Sequence, residues 1–102
     1  MGTSEPEWHP EAIQEAEDAR NWYGARSPLA ARGFLLELQT PVNAVSEAPA
    51  RWPRYLHGTR RCLFFHRYPY AIVYLAGPPL FVVAVVHDKR RPGYWRGRIG
   101  AA

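Results

Sequence analysis

Residues Leu80-Phe81-Val82-Val83-Ala84-Val85-Val86 form a near-continuous apolar run. A strand with one wet face alternates apolar and polar side chains; this one does not. The run is short, rich in β-branched valine and preceded by Gly77-Pro78-Pro79, which favours a strand over a helix. It predicts a central strand covered on both faces. The rest of the chain must therefore supply neighbouring strands and two covering layers.

The neighbours are legible upstream. Tyr70 to Leu75 mixes aromatic and β-branched residues and reads as a strand, joined to the apolar run by a hairpin turn at Gly77-Pro78-Pro79. Arg60 to Arg67 alternates partly, is rich in Phe and predicts another strand, ended by a turn or bulge at Tyr68-Pro69. Ala50 to Thr59 is a loop rich in Arg, Trp and Pro. Lys89 to Arg98 is a basic tail with room for a short helix.

The first half supplies helices. His9-Pro10-Glu11-Ala12 starts one, since proline at the first helical position loses no needed N–H. Glu11, Glu15, Glu17 and Asp18 lie towards its N-terminus, where the macrodipole favours negative charge. Ile13, Ala16, Ala19 or Arg20, and Tyr23 fall on one stripe, and Gly24 ends the helix. Ser27-Pro28 starts a second helix with Ser27 as N-cap. Its apolar face runs through Phe34, Leu35, Leu38, Val42 and Val45. Pro41 is expected to kink it or end it near Thr40. The short link between the helices predicts an antiparallel hairpin. The fold class is α+β: an N-terminal helical hairpin packed on a small antiparallel β-sheet, to which Glu7-Trp8 can add a short N-terminal strand.

A chain of 102 residues is expected to form one domain over residues 1–102. Its charge is unevenly placed. Residues 1–50 hold eight acidic and three basic residues, whereas residues 51–102 hold ten basic and one acidic. This split fits an acidic partner for the second half, nucleic acid or protein, or a merely solvated basic face. Cys62 is the sole cysteine, so neither an internal disulfide nor a cysteine metal site is available. No two histidines have a metal-ligand spacing, and no cofactor or metal is expected. The acidic, polar start from Met1 to Glu5 lacks the features of a signal peptide, and no run approaches membrane-spanning length. The expectation is a cytoplasmic protein with no membrane partner.

Taken in order, several landmarks form a set: His9-Pro10-Glu11-Ala12, Trp22-Tyr23, Phe34-Leu35-x-Glu37-Leu38, Pro49-x-x-Trp52-Pro53 and Arg60-Arg61. Tyr68-Pro69-Tyr70-x-Ile72-x-Tyr74, Val83-Ala84-Val85-x-His87-x-x-Arg90-x-Pro92-x-Tyr94-Trp95 and Arg98 complete it. Over residues 7 to 98 the chain resembles the RelE/ParE superfamily, the toxins of bacterial type II toxin–antitoxin systems, and within it the ParE-like, plasmid-stabilisation type. The resemblance implies a growth-arresting toxin neutralised by a small antitoxin encoded beside it. It also implies one of two targets. RelE-like members cleave mRNA on the ribosome, and ParE-like members poison DNA gyrase.

Metal-free RNA cleavage needs a base, cations for the phosphorane and an acid for the leaving oxygen. His87, Arg61 and Tyr94 are the catalytic candidates if the chain is a nuclease. Arg60, Arg67, Arg90, Arg91 and Trp95 are the candidates for binding a target or an antitoxin. Each also has a plain structural role open to it. His87 can cap a strand end, Tyr94-Trp95 can pack the tail on the sheet, and Arg60 and Arg61 point to opposite faces if they lie in a strand. The other of that pair is expected to meet a helix carboxylate. The nuclease branch carries an arginine where Ala71 stands here, and Lys89 is the only lysine. These departures favour a toxin that binds over one that cuts. A basic nucleic-acid-binding module without toxicity is the third reading.

Overall fold

A computed structural model describes residues 5–100, so residues 1–4 of the acidic N-terminus lie outside the described residues. Strand β1 (Glu7–Trp8) leads into helices α1 (Pro10–Gly24) and α2 (Pro28–Glu47). Strands β2 (Arg60–Leu63), β3 (Tyr70–Leu75) and β4 (Phe81–His87) follow. Single 3₁₀ turns occupy Leu56–Gly58 and Arg96–Arg98. The sheet order is β1-β4-β3-β2. β2–β3 and β3–β4 are antiparallel, while β1 runs parallel to β4 for two residues, Glu7↔Phe81 and Trp8↔Val82. The α+β architecture is the one expected, with the N-terminal strand present. No helix is long and apolar enough to cross a membrane among the described residues.

Both helix starts carry a side-chain cap. His9 Nδ1 accepts from Glu11 N at 3.0 Å, with Pro10 at the first helical position. Ser27 Oγ accepts from Leu29 N at 3.2 Å and Ala30 N at 3.4 Å. The buried stripe of α1 is Ala12 and Ala19 with part-buried Ala16 and Tyr23; Ile13, placed on that stripe from sequence, is 46% exposed. Helix α2 does not stop near Thr40. It runs on through Pro41, which is buried, because Val42 and Val45 beyond it still have core to fill. Tertiary packing thus outweighs the lost backbone hydrogen bond.

Strand β4 lies between β1 and β3 and is buried on both faces along Val82–Val85. Towards the helices, Ile72, Tyr74, Val82 and Val85 join Phe34, Val42 and Val45. An aromatic cluster extends this layer: Phe34 lies 5.6 Å from Tyr23, 5.5 Å from Tyr68 and 5.2 Å from Tyr70, between ring centroids. Tyr68 reaches the helix because Gly33 has no side chain; a Cβ there would sit 2.6 Å from the Tyr68 hydroxyl. That hydroxyl donates to Ala30 O at 2.8 Å. Cys62 belongs to the same core at 1% exposed, and burial pushes its thiol up to about 11.

The opposite face is covered by the tail. Val73, Val83, Ala84 and Trp95 form a second buried cluster, flanked by Tyr55, Val86, Tyr94 and Ile99. The register with β3 jumps from Val73↔Ala84 to Tyr74↔Val82, leaving Val83 as an extra, bulged residue. The bulge places Val83 and Ala84 in the same cluster despite their adjacency. The strand expected to reach Arg67 stops at Leu63. Phe64 turns into the core, and Phe65-His66-Arg67 form an exposed bend anchored by Arg67 N, which donates to Glu37 Oε1 at 3.0 Å.

Candidate functional site

The chemistry gathers where β4 ends and the tail crosses back over it. Strand β1 pairs with β4 only as far as Val82. Beyond that point, side chains meet the β4 backbone. Val85 N donates to Glu15 Oε1 at 3.0 Å, and Val83 O accepts from Arg98 Nη1 at 3.2 Å. Glu15 and Arg98 bind each other in a fork, Nη1–Oε1 at 2.8 Å and Nη2–Oε2 at 2.9 Å. The Tyr94 hydroxyl donates to Glu15 Oε2 at 2.5 Å. Glu11 lies at the edge of the cluster, 3.8 Å from Arg98.

This network is largely shielded from water, with side-chain exposures of 11% for Arg98 and 15% for Glu15. The Glu15 hydrogen bonds hold the Arg98 guanidinium above its usual range despite burial. Burial and then the bond to Glu15 push the Tyr94 hydroxyl well above the ordinary phenol range. Tyr94 is therefore a neutral donor committed to Glu15, with Arg90 stacked 3.8 Å from its ring centroid.

His87 stands at the end of β4. Its Nδ1 accepts from Lys89 N at 3.0 Å and lies 3.2 Å from Asp88 Oδ1. Its ring meets Tyr70 edge-on at 5.0 Å. His87 thus caps the turn that starts the tail, yet it borders two grooves. One, of about 340 Å³, also meets Arg61, Ala71, Arg90 and Trp95. The other, of about 420 Å³, meets Asp18, Trp22, Tyr70 and Arg90. The structure therefore brings His87, Arg61 and Arg90 to one groove.

The other candidates are placed elsewhere. Arg60 Nη1 donates to Trp52 O at 2.6 Å, a backbone carbonyl and not the helix carboxylate expected for one of the arginine pair. Arg61, on the opposite face, stacks over Tyr55 at 4.2 Å. Arg67 lies on the helix side near Tyr68 and Glu37. Arg91 is exposed. Trp95, a candidate for contact with a partner, is 1% exposed and fills the second core beside Tyr55 and His57. Its indole covers the tail face of the sheet and presents almost no surface.

Glu15 is the residue that sequence reasoning did not single out. In the sequence it is one of several acids favoured by the helix dipole. A signal was available: Glu15 stands three residues after Ala12 and four before Ala19, so it shares their buried face. A carboxylate on that face needs a cationic partner, and Arg98 provides it.

Residues 7–92 match the family model of the ParE toxin of type II toxin–antitoxin systems, parDE. The chain belongs to the ParE toxin family. No curated protein matches it. The toxin domain so defined takes in α1, α2 and the whole sheet. Tyr94, Trp95 and Arg98 follow the matched residues, so the lock on Glu15 joins the ParE domain to the segment after it.

Proposed function

We propose that this ParE-family toxin arrests growth by binding a target such as DNA gyrase, without chemistry of its own, and that a cognate antitoxin neutralises it in the cytoplasm. The observation that carries the binding reading is the commitment of Tyr94. Its hydroxyl is spent on Glu15, deep beside Arg98, and its raised pKa makes it a poor proton donor in a reaction. Ala71, buried in β3, supplies no cation where the cutting branch would place one. An antitoxin segment has apolar ground to bind on the helical hairpin. There a groove of about 270 Å³ is lined by Trp8, Ile13, Ala16 and Leu35, with Ile13 and Leu35 each more than 40% exposed.

A second reading, ribosome-dependent mRNA cleavage, draws on one observation: His87, Arg61 and Arg90 share a groove. Induction in bacteria separates the two. The binding reading expects growth arrest, a DNA-damage response and altered supercoiling with bulk mRNA intact, all relieved by the neighbouring gene. His87→Ala should retain that toxicity. Loss of mRNA on induction, abolished by His87→Ala, would establish cleavage instead. Absence of any growth arrest would reject both.

A further inference from the structure

The groove between α1 and the end of β4 encloses about 420 Å³, within the range of small-ligand clefts. Its helix wall follows from spacing. Asp18 and Trp22 are four residues apart, so they stand one turn from each other on one face of α1. Trp22 is a fixed platform. The Arg26 guanidinium stacks 3.4 Å from its ring centroid and donates from Nη1 to Trp22 O at 3.0 Å. Tyr23 meets the same ring edge-on at 5.0 Å. The indole is still 53% exposed. Asp18 Oδ1 accepts from Gln14 Nε2 at 2.8 Å, which leaves Oδ2 without a partner among the described residues.

The opposite wall is made of donors. His87 Nδ1 accepts from Lys89 N at 3.0 Å, so the proton of the neutral ring lies on Nε2. Tyr70 lies 5.0 Å from the His87 ring and 6.5 Å from Tyr23, between centroids. The hydroxyls of Tyr68, Tyr74 and Tyr94 each donate to the protein, whereas those of Tyr23 and Tyr70 have no partner among the described residues. Burial first, then the nearby Tyr23 and Asp88, push the Tyr70 hydroxyl up to about 12, so it stays a protonated donor. Arg90 adds an exposed cation to this wall. Glu15 also borders the groove, but Arg98 neutralises it. The groove is thus edged by an acceptor on the helix and by donors opposite.

These two edges select a ligand. A planar ring laid on Trp22 brings its rim to the Asp18 carboxylate. An ionised carboxylate only accepts, so it favours a ring with two adjacent N–H donors. Guanine has that edge in its N1–H and N2 amine. Adenine and cytosine set a ring acceptor beside their amine, and uracil flanks its one N–H with carbonyls. A basic side chain would suit Asp18 but would meet Arg26 and Arg90 as like charges. An anionic group at the far end meets Arg90 and the ring donors. A continuing nucleic-acid strand would carry further phosphates past Glu17, Asp18 and Asp88, which are exposed and repel them. We propose that this groove binds a free guanine nucleotide, with its base on Trp22, its N1–H and N2 amine on the Asp18 carboxylate, and its phosphate at Arg90 and His87. The proposal goes beyond the toxin reading and rests on this groove alone.

The test is an NMR titration of the full chain with guanosine monophosphate. The Trp22 indole N–H resonance and the Tyr70 and His87 ring resonances should shift together and saturate. Adenosine monophosphate loses both bonds to the carboxylate and should bind about a hundredfold more weakly; inosine monophosphate, which lacks only the N2 amine, should lose about tenfold. Guanosine without its phosphate should also lose about tenfold, and Arg90→Gln should remove that difference. Asp18 is exposed, so Asp18→Asn leaves the core untouched. Its amide still accepts from N1–H but donates where the N2 amine stood. Preference should therefore pass to xanthosine monophosphate, which carries a carbonyl there. The proposal is overturned if millimolar guanosine monophosphate leaves the Trp22 indole unmoved, if adenosine monophosphate binds as well, or if Asp18→Asn keeps guanine ahead of xanthine. It is equally overturned if a short guanosine-containing RNA occupies the groove more tightly than the mononucleotide, which would make the ligand a strand.

Discussion

The two faces of the sheet are covered by different physics. On the helix side, α1 and α2 press Phe34, Val42 and Val45 onto Ile72, Tyr74 and Val85. That layer is apolar, continuous and supported by two capped helices. On the other side the cover is a tail with a single 3₁₀ turn, whose main apolar contribution is Trp95. Such a segment has few regular backbone bonds of its own. It is held by Glu15, which reaches the tail beyond the end of β1 to bind Tyr94 and Arg98. A thin cover therefore depends on a polar lock, whereas a thick one depends on buried area. Damage to the first should be local, and damage to the second global.

The sharpest way to break this contrast is to attack each side at its centre. Phe34→Ala removes a fully buried ring with four aromatic neighbours, and should cost about 4 kcal/mol. That is a large share of a small domain's stability. Denaturant melts should show one cooperative loss, with helix and sheet signals falling together. Glu15→Ala should cost somewhat less, about 3 kcal/mol, by leaving Arg98, the Tyr94 hydroxyl and Val85 N–H without their partner. Its signature should differ in kind. Trypsin should cut at Arg96 and Arg98 while the helices remain protected from hydrogen exchange. Exchange that accelerates equally in α1 and in the tail would remove the distinction between the two faces.

The same contrast explains what could be read from the chain. The valine run of β4 announced a strand covered twice, and the proline-led helix starts announced one of the covers. These are local, periodic signals. The second cover has no period: Trp95 and Ile99 fill it from irregular backbone, so Trp95 resembled a binding residue as much as a core one. Pro41 misled for a related reason, since the packing of Val42 and Val45 carries the helix past it. The Glu15–Arg98 pair spans most of the chain, and no local window shows it. The groove at His87 was legible only as separate residues; the sheet order and the turn after β4 bring Arg61, His87 and Arg90 to it.

A smaller effect tests whether the helix side is held by more than apolar area. The Tyr74 hydroxyl donates to Pro49 O at 2.7 Å and fastens the loop after α2 to β3. Tyr74→Phe keeps the ring and removes only this bond, so it should cost about 1 kcal/mol at pH 7. Its pH dependence is the sharper readout. Burial pushes the Tyr74 hydroxyl up to about 12 from the ordinary 10.0. A group whose pKa is raised by folding contributes fully below its unfolded value and loses that contribution as pH rises through the folded one. The parent chain should therefore lose stability between pH 10 and about 12 through this group, and the phenylalanine variant should not. Chemical denaturation of both chains at pH 7 and above pH 10 should show the gap shrinking with alkalinity and then reversing. A gap constant with pH would mean that the hydroxyl titrates freely and that the layer rests on apolar contact alone.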